Sequence, residues 1–176
     1  MASKSTDEHR QAAEEKFDAI RLAVVTISDT RTEESDKSGK LMRELLAGEG
    51  HEVVDYAILR DEPDLIRDHV VRLCLRDDVE AILTNGGTGI APRDGTYETI
   101  KDIIERPLPG FGELFRMLSW DQVGAASMLS RAIGGLRGTT LIFSMPGSSN
   151  AVEVAMTRLI IPELKHLVYE MRGKIA

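Results

Sequence analysis

Residues 80–96 read EAILTNGGTGIAPRDGT, and this stretch decides the fold class. A short, mainly apolar run over residues 80–84 stops abruptly at a glycine-rich loop, and a helical pattern begins at Thr96. A buried strand that turns at once into a helix is the repeating half of a β-α-β unit. Gly86, Gly87 and Gly89 allow the backbone to approach a ligand closely and expose N–H groups to anionic oxygens. The helix start that follows favours phosphate. The loop is not a Walker P-loop, because Gly-Lys-Ser/Thr is absent, and not a dinucleotide fingerprint, because Pro92 holds the third glycine position. From its residues alone it reads either as a phosphate cradle or as a tight strand-to-helix turn.

Working outward, the same alternation recurs. RLAVVTIS (21–28) is short, β-branched and apolar on both alternating faces, as a strand covered on both sides of a parallel sheet should be. A helix is expected from Asp36 to Gly48, closed by Gly48 and Gly50, and a second strand over HEVVDYAIL (51–59). Another helix starts near Asp61. Ile66, Val70, Leu73 and Cys74 fall on one of its faces, so Cys74 reads as a buried small hydrophobe and not as a nucleophile. Downstream, helices are expected over Thr96 to Glu105 and Phe111 to Trp120. ASMLSRA (126–132) reads as a helical turn, GGLRG (134–138) as a turn and TTLIFSM (139–145) as a strand. A long helix should run to Arg172, with Asn150 and Glu153 as its capping box and Pro162 kinking it or starting a new segment. The polar residues 1–18 read as a frayed arm or a short surface helix. Strands alternating with helices make this an α/β chain with a mostly parallel sheet.

The composition narrows function by exclusion. The chain has 176 residues, a one-domain length, with 42% hydrophobic and 29% charged residues, which is ordinary for a globular protein. A net charge of −7 argues against general affinity for nucleic acid or an anionic membrane. No apolar run approaches the ~18 residues of a membrane span, and the N-terminus lacks a signal peptide's apolar stretch, so the cytoplasm is the expected location. The single cysteine excludes an intramolecular disulfide and a thiolate-only metal site. His9, His51, His69 and His166 show no metal-ligand spacing and read as structural or solvated.

In open α/β sheets ligands bind beyond the carboxyl ends of the strands. That rule singles out the loops SDTR, LRDEPD, TNGGTGIAPRDGT and MPGSSN. In the last, Gly147 is free to take positive φ, and Ser148, Ser149 and Asn150 can cap a helix or hold an anion. Asp29, Asp61 and Asp94 stand at strand ends either as helix caps or as ligands of Mg²⁺, a hard cation that shares carboxylates with substrate phosphates. Arg93 and Arg131 either offset ligand charge or are ordinary surface arginines.

TNGGTGIAPRDGTYETI, PGFGELFRMLS and MPGSSNAVEVA, together with VVTISDTR, DKSG, LSRA and LIIPELKHL, resemble the MoaB/Mog family of molybdenum cofactor biosynthesis proteins. The likeness spans about residues 20–172, which makes 20–176 the molybdopterin-binding domain and 1–19 a polar extension. It implies a three-layer α/β/α fold and a homotrimer or hexamer. It also implies Mg-ATP-dependent adenylylation of molybdopterin, with molybdate insertion by a separate MoeA-type partner. A non-catalytic molybdopterin-binding or nucleotide-binding member of the family is the alternative. The family's catalytic, metal-holding acids fall on Asp61 and Asp94. Its binding segments fall on Ser28 and Asp29, on Gly86, Gly87, Thr88 and Gly89, and on Pro146, Gly147 and Ser148. The family loop often has Thr where this chain has Asn85, a small polar side chain expected to bond the backbone.

Overall fold

Strand β1 (Arg21–Ile27) shows how the sequence specifies two cores at once. Leu22 and Val24 point into one hydrophobic cluster, while Ala23, Val25 and Ile27 point into another on the opposite face. The period-2 alternation of a strand makes each residue serve one side only, so a run apolar at every position must be covered twice. The computed structural model describes residues 4–173. The remaining strands are β2 (Glu52–Leu59), β3 (Ala81–Asn85), β4 (Arg106–Pro107), β5 (Ile133–Arg137) and β6 (Thr140–Met145). They form a six-stranded sheet in the order β2-β1-β3-β6-β5-β4. β2, β1, β3 and β6 are mutually parallel, and β5 and β4 extend the sheet antiparallel.

The helices are α1 (Lys4–Lys16), α2 (Lys37–Gly48), α3 (Pro63–Cys74), α4 (Thr96–Ile103), α5 (Pro109–Val123), α6 (Ser149–Ala155) and α7 (Ile161–Gly173). α3 and α4 supply Ile66, Val70, Leu73, Ile100 and Ile103 to one face of the sheet. α2, α5, α6 and α7 cover the other with Met42, Leu46, Phe115, Val152 and Leu164. The result is the expected three-layer α/β/α sandwich. Cys74 is partly buried at the edge of the α3 cluster, and burial pushes its thiol up to about 11, so it is a packing residue.

Two readings needed correction. In GGLRG, residues 134–137 lie in strand β5, and only Gly138, with φ 55°, is in the turn. Glycines in a strand usually signal a break, but here a Cβ on Gly134 would stand 2.8 Å from the Phe143 ring, and one on Gly135 2.7 Å from the Arg106 carbonyl oxygen. The cap of α6 is Ser148, whose hydroxyl accepts the Ala151 N–H at 3.2 Å; Asn150 instead donates to Gln122. The long C-terminal helix breaks where Pro162 was expected to break it: a π-helical turn over Met156–Ile160 separates α6 from α7, whose second residue is Pro162, with no N–H to donate. Of the two readings for residues 1–18, the helix holds over Lys4–Lys16, residues 1–3 lying outside the described ones: α1 lies against α7, tied by Lys165–Glu14 at 2.7 Å and by Arg10–Glu163. α4 stops at Ile103, two residues early, because the chain enters β4, and α5 begins at Pro109, a residue suited to the first helical turn.

Candidate functional site

The strand order places the topological switch between β1 and β3, since the chain leaves β1 for β2 on one side and returns to β3 on the other. The loops after these two strands flank a crevice, the position where open α/β sheets bind ligands. Gly86 has φ 100° and Gly87 φ 60°, so the glycine-rich loop leaves β3 through two left-handed residues. A side chain on Gly86 would overlap the Ile27 carbonyl oxygen, and one on Gly87 would overlap Thr96 and Asp61. Gly147 does not take positive φ as its loop suggested. It is small for another reason: a Cβ there would lie 3.0 Å from Gly86 Cα, so the two glycine loops pack backbone to backbone.

Between these loops is a cleft of ≈ 490 Å³ that brings together Ser28, Thr30, Arg31, Gly86–Gly89, Pro146 and Gly147. Ser28 Oγ accepts the N–H groups of Thr30 and Arg31 at 3.3 and 3.2 Å, which turns the chain sharply after β1. Ser148 does not line the cleft, since it caps α6. Asp94 lines a neighbouring hollow of ≈ 520 Å³ on the far side of the glycine loop, with Arg131 and Glu98. A more apolar cavity of ≈ 420 Å³ lies around Leu108, Phe111 and Leu159; with no glycine loop beside it, it is a poor host for phosphate.

Asp61 is buried beneath Gly87 at the start of α3. It accepts the Thr96 hydroxyl at 3.2 Å and the Gly95 N–H at 3.4 Å. Burial raises its carboxyl pKa; those two hydrogen bonds oppose the rise, and the charges of Asp94 and Asp29 add to it, leaving the net shift upward. Asp29 goes the other way, held low chiefly by its hydrogen bond from Arg93 at 2.7 Å, while its second oxygen accepts the Asp61 N–H at 3.3 Å. Asp94 accepts the Ala91 N–H at 2.9 Å and so closes the turn that ends the loop. Arg93 and Arg131 are both engaged. Arg93 pairs with Asp29 and with Glu62 at 3.2 Å. Arg131 straps the loop, donating to the Thr88 carbonyl at 3.0 Å and to those of Gly89 and Asp94.

The donor set fits Mg²⁺ in part. The acids offer hard oxygen ligands, and a cation would relieve the crowded charge around Asp61. Asp29, Asp61 and Asp94 do not bring one oxygen each within 4.8 Å of one another, however, so they form no closed three-carboxylate cage. An ion here needs substrate oxygens to complete its shell, which is how Mg²⁺ commonly binds with phosphates.

Sequence reasoning missed the network beneath the cleft. Arg31 donates to the Gly147 carbonyl at 2.8 Å and to Asp36 at 3.3 Å, tying the loops after β1 and β6 together. Asn85 is fully buried and bonds side chains, not backbone: it donates to Thr26 at 2.9 Å and accepts from Ser38 at 2.8 Å and Arg31 at 3.5 Å. The polar stretch after β1 and the Asn at the end of β3 were the available signals, but neither has a period that reveals its partner.

Residues 23–166 match the family described as "Probable molybdopterin binding domain". The chain belongs to the molybdopterin-binding family of molybdenum cofactor biosynthesis proteins. It is 51% identical over 168 residues to molybdenum cofactor biosynthesis protein B of Halalkalibacterium halodurans, covering 95% of this chain and 97% of that one. A crystal structure of a molybdenum cofactor biosynthesis protein B superposes with TM-score 0.86 at 50% identity, over 88% of this chain and 97% of that one. The tungsten cofactor synthesizing protein MoaB from Pyrococcus furiosus gives 0.78 at 35% identity, over 88% and 98%. In this MoaB/Mog-type chain the glycine loops stand beyond the carboxyl ends of β3 and β6, around the cleft.

Proposed function

We propose that this family member is a molybdopterin adenylyltransferase. A terminal phosphate oxygen of molybdopterin attacks the α-phosphorus of ATP, a new P–O bond forms, and the bond to the departing pyrophosphate breaks. The single observation that carries this reading is the pairing of two backbone-lined glycine loops around one cleft, with the buried Asp61 directly beneath. Backbone N–H groups of residues 87–89 and of Gly147 suit anionic oxygens, with Ser28 and Asp29 closing the rim. Such a transfer asks the protein mainly for positioning and charge stabilisation, and a phosphate oxygen needs no strong general base. Mg²⁺, held by Asp61 and Asp94 together with substrate oxygens, would supply charge neutralisation. Exposed Met117, Trp120, Val123 and Met128 favour self-association, which we read as a homotrimer or hexamer handing product to a MoeA-type insertase. Among the described residues no helix is long and apolar enough to cross a membrane, and we place the reaction in the cytoplasm.

One observation favours a second reading, a binding member without turnover: the Asp94 carboxylate is already used by the Ala91 N–H. The experiment is release of pyrophosphate from Mg-ATP in the presence of molybdopterin. Turnover is expected, with Asp94→Ala slower by about 10²–10³-fold, the size of a lost electrostatic contact. Tight pterin binding with no pyrophosphate would establish the second reading instead.

A further inference from the structure

The packing of α1 on α7 assembles a group of side chains on the surface of the α2/α5/α6/α7 layer. His9 Nδ1 lies 2.7 Å from Glu170 Oε1, and His166 Nε2 lies 4.0 Å from the same oxygen. One ligand atom from each of His9, His166 and Glu170 falls within 4.8 Å of the other two, and this is the sole such trio of His, Cys, Asp or Glu among the described residues. A tetrahedral zinc with bonds of about 2.0–2.1 Å separates its ligands by roughly 3.3 Å. The distances of 2.7 and 4.0 Å bracket that value, so small side-chain adjustments suffice.

We propose that His9, His166 and Glu170 form a site for a divalent transition metal of the zinc type, which clamps the N-terminal helix to the C-terminal one. Two imidazoles and a carboxylate are a zinc ligand set with a fourth position left open. His166 and Glu170 are one helical turn apart, so a single face of α7 presents both. The second ring nitrogen of His166 is engaged: Nδ1 lies 2.9 Å from Glu163 Oε2. A carboxylate behind a histidine in this way fixes the tautomer that presents Nε2 outward, the arrangement that supports metal-bound histidines. Glu163 is held in turn by Arg10 of α1, so both helices contribute to the outer shell as well. The His9 side chain is 47% exposed, which leaves solvent access for entry and for a water at the fourth position.

The test uses the full chain, stripped with a chelator and titrated with Zn²⁺ alone against a chromophoric competitor. One Zn²⁺ per chain is expected, with a rise in melting temperature. His9→Ala and Glu170→Gln should each weaken binding by more than about 100-fold and abolish the thermal shift, and Glu163→Gln should weaken it by about 10–100-fold. Glu170→Gln keeps the side-chain shape, so its result stands even if His9→Ala loosens α1. Cys74→Ser should bind like the parent. No Zn²⁺ uptake, uptake undiminished in the His9 and Glu170 variants, or loss in Cys74→Ser would each overturn the proposal.

Discussion

Asp36 and Asp61 are buried carboxylates at the same edge of the sheet, and their surroundings act in opposite directions. Asp36 accepts hydrogen bonds from the Thr26 hydroxyl at 2.6 Å, the Tyr56 hydroxyl at 2.8 Å, the Gly39 N–H at 3.0 Å and Ser38 at 3.1 Å, with Arg31 beside it. Burial alone would raise its pKa, but these hydrogen bonds outweigh burial and the net shift is downward. The same contact pushes Tyr56 up to about 12, burial being the larger cause. Asp61 has longer bonds to one hydroxyl and one N–H and faces two further acids, and its shift is upward. A carboxylate fully supplied with donors holds the fold. One left short of donors beside other anions burdens the fold, and that burden is what a bound cation or phosphate-metal complex would relieve.

Breaking the Asp36 side of this comparison should have the largest effect. Asp36→Ala removes the N-cap of α2, leaves the hydroxyls of Thr26 and Tyr56 short of an acceptor and takes the carboxylate from beside the Arg31 charge. A loss of about 3–5 kcal/mol is expected in urea unfolding, the range for breaking a buried pair by removing one partner. A loss below about 1 kcal/mol would mean the network holds nothing together. On the Asp61 side, Gly87→Ala should cost about 1–3 kcal/mol from a strained positive φ, with the overlap on Thr96 and Asp61 added to it. The same urea unfolding, run beside Gly48→Ala, where a Cβ meets nothing, isolates that cost.

How much of this was legible in the sequence follows the same division. β1, β3 and β6 were readable because a strand covered on both faces must be apolar at consecutive positions, and the glycine loop and Asp61 followed from the rule that sites lie beyond strand ends. Strand β5 was not, because its glycines answer to the Phe143 ring and the Arg106 carbonyl, contacts that exist only after folding. Arg31 was missed for the same reason: its partner Gly147 lies 116 residues away and no local pattern points to it. Asp36 was legible as a helix start, as its N-cap geometry bears out, but not as the centre of a network drawing on Thr26 and Tyr56. His9 and His166 looked unrelated because they meet only when α1 lies on α7.

The smallest effect is the most discriminating, because it reverses sign. Asp61→Asn keeps an acceptor for Thr96 and Gly95 and removes the charge, so at neutral pH the variant should be more stable than its parent by about 0.5–1 kcal/mol while losing turnover. The pH dependence follows from linkage. Asp61 has a folded pKa above its unfolded value, so the folded state binds the proton more tightly and its relative stability rises as pH falls through the folded pKa. The advantage of Asp61→Asn should therefore shrink on acidification and vanish below about pH 4, the ordinary carboxylate range. Asp36 has the opposite sign: its contribution is fully present above that range and is lost as pH falls through its lowered folded pKa. Paired unfolding curves of the parent and Asp61→Asn between neutral pH and pH 4 read the difference directly. A gap that stays constant or widens toward acid would mean that Asp61 is as well satisfied as Asp36, and the distinction between the carboxylate that holds the fold and the one poised for a ligand would fail.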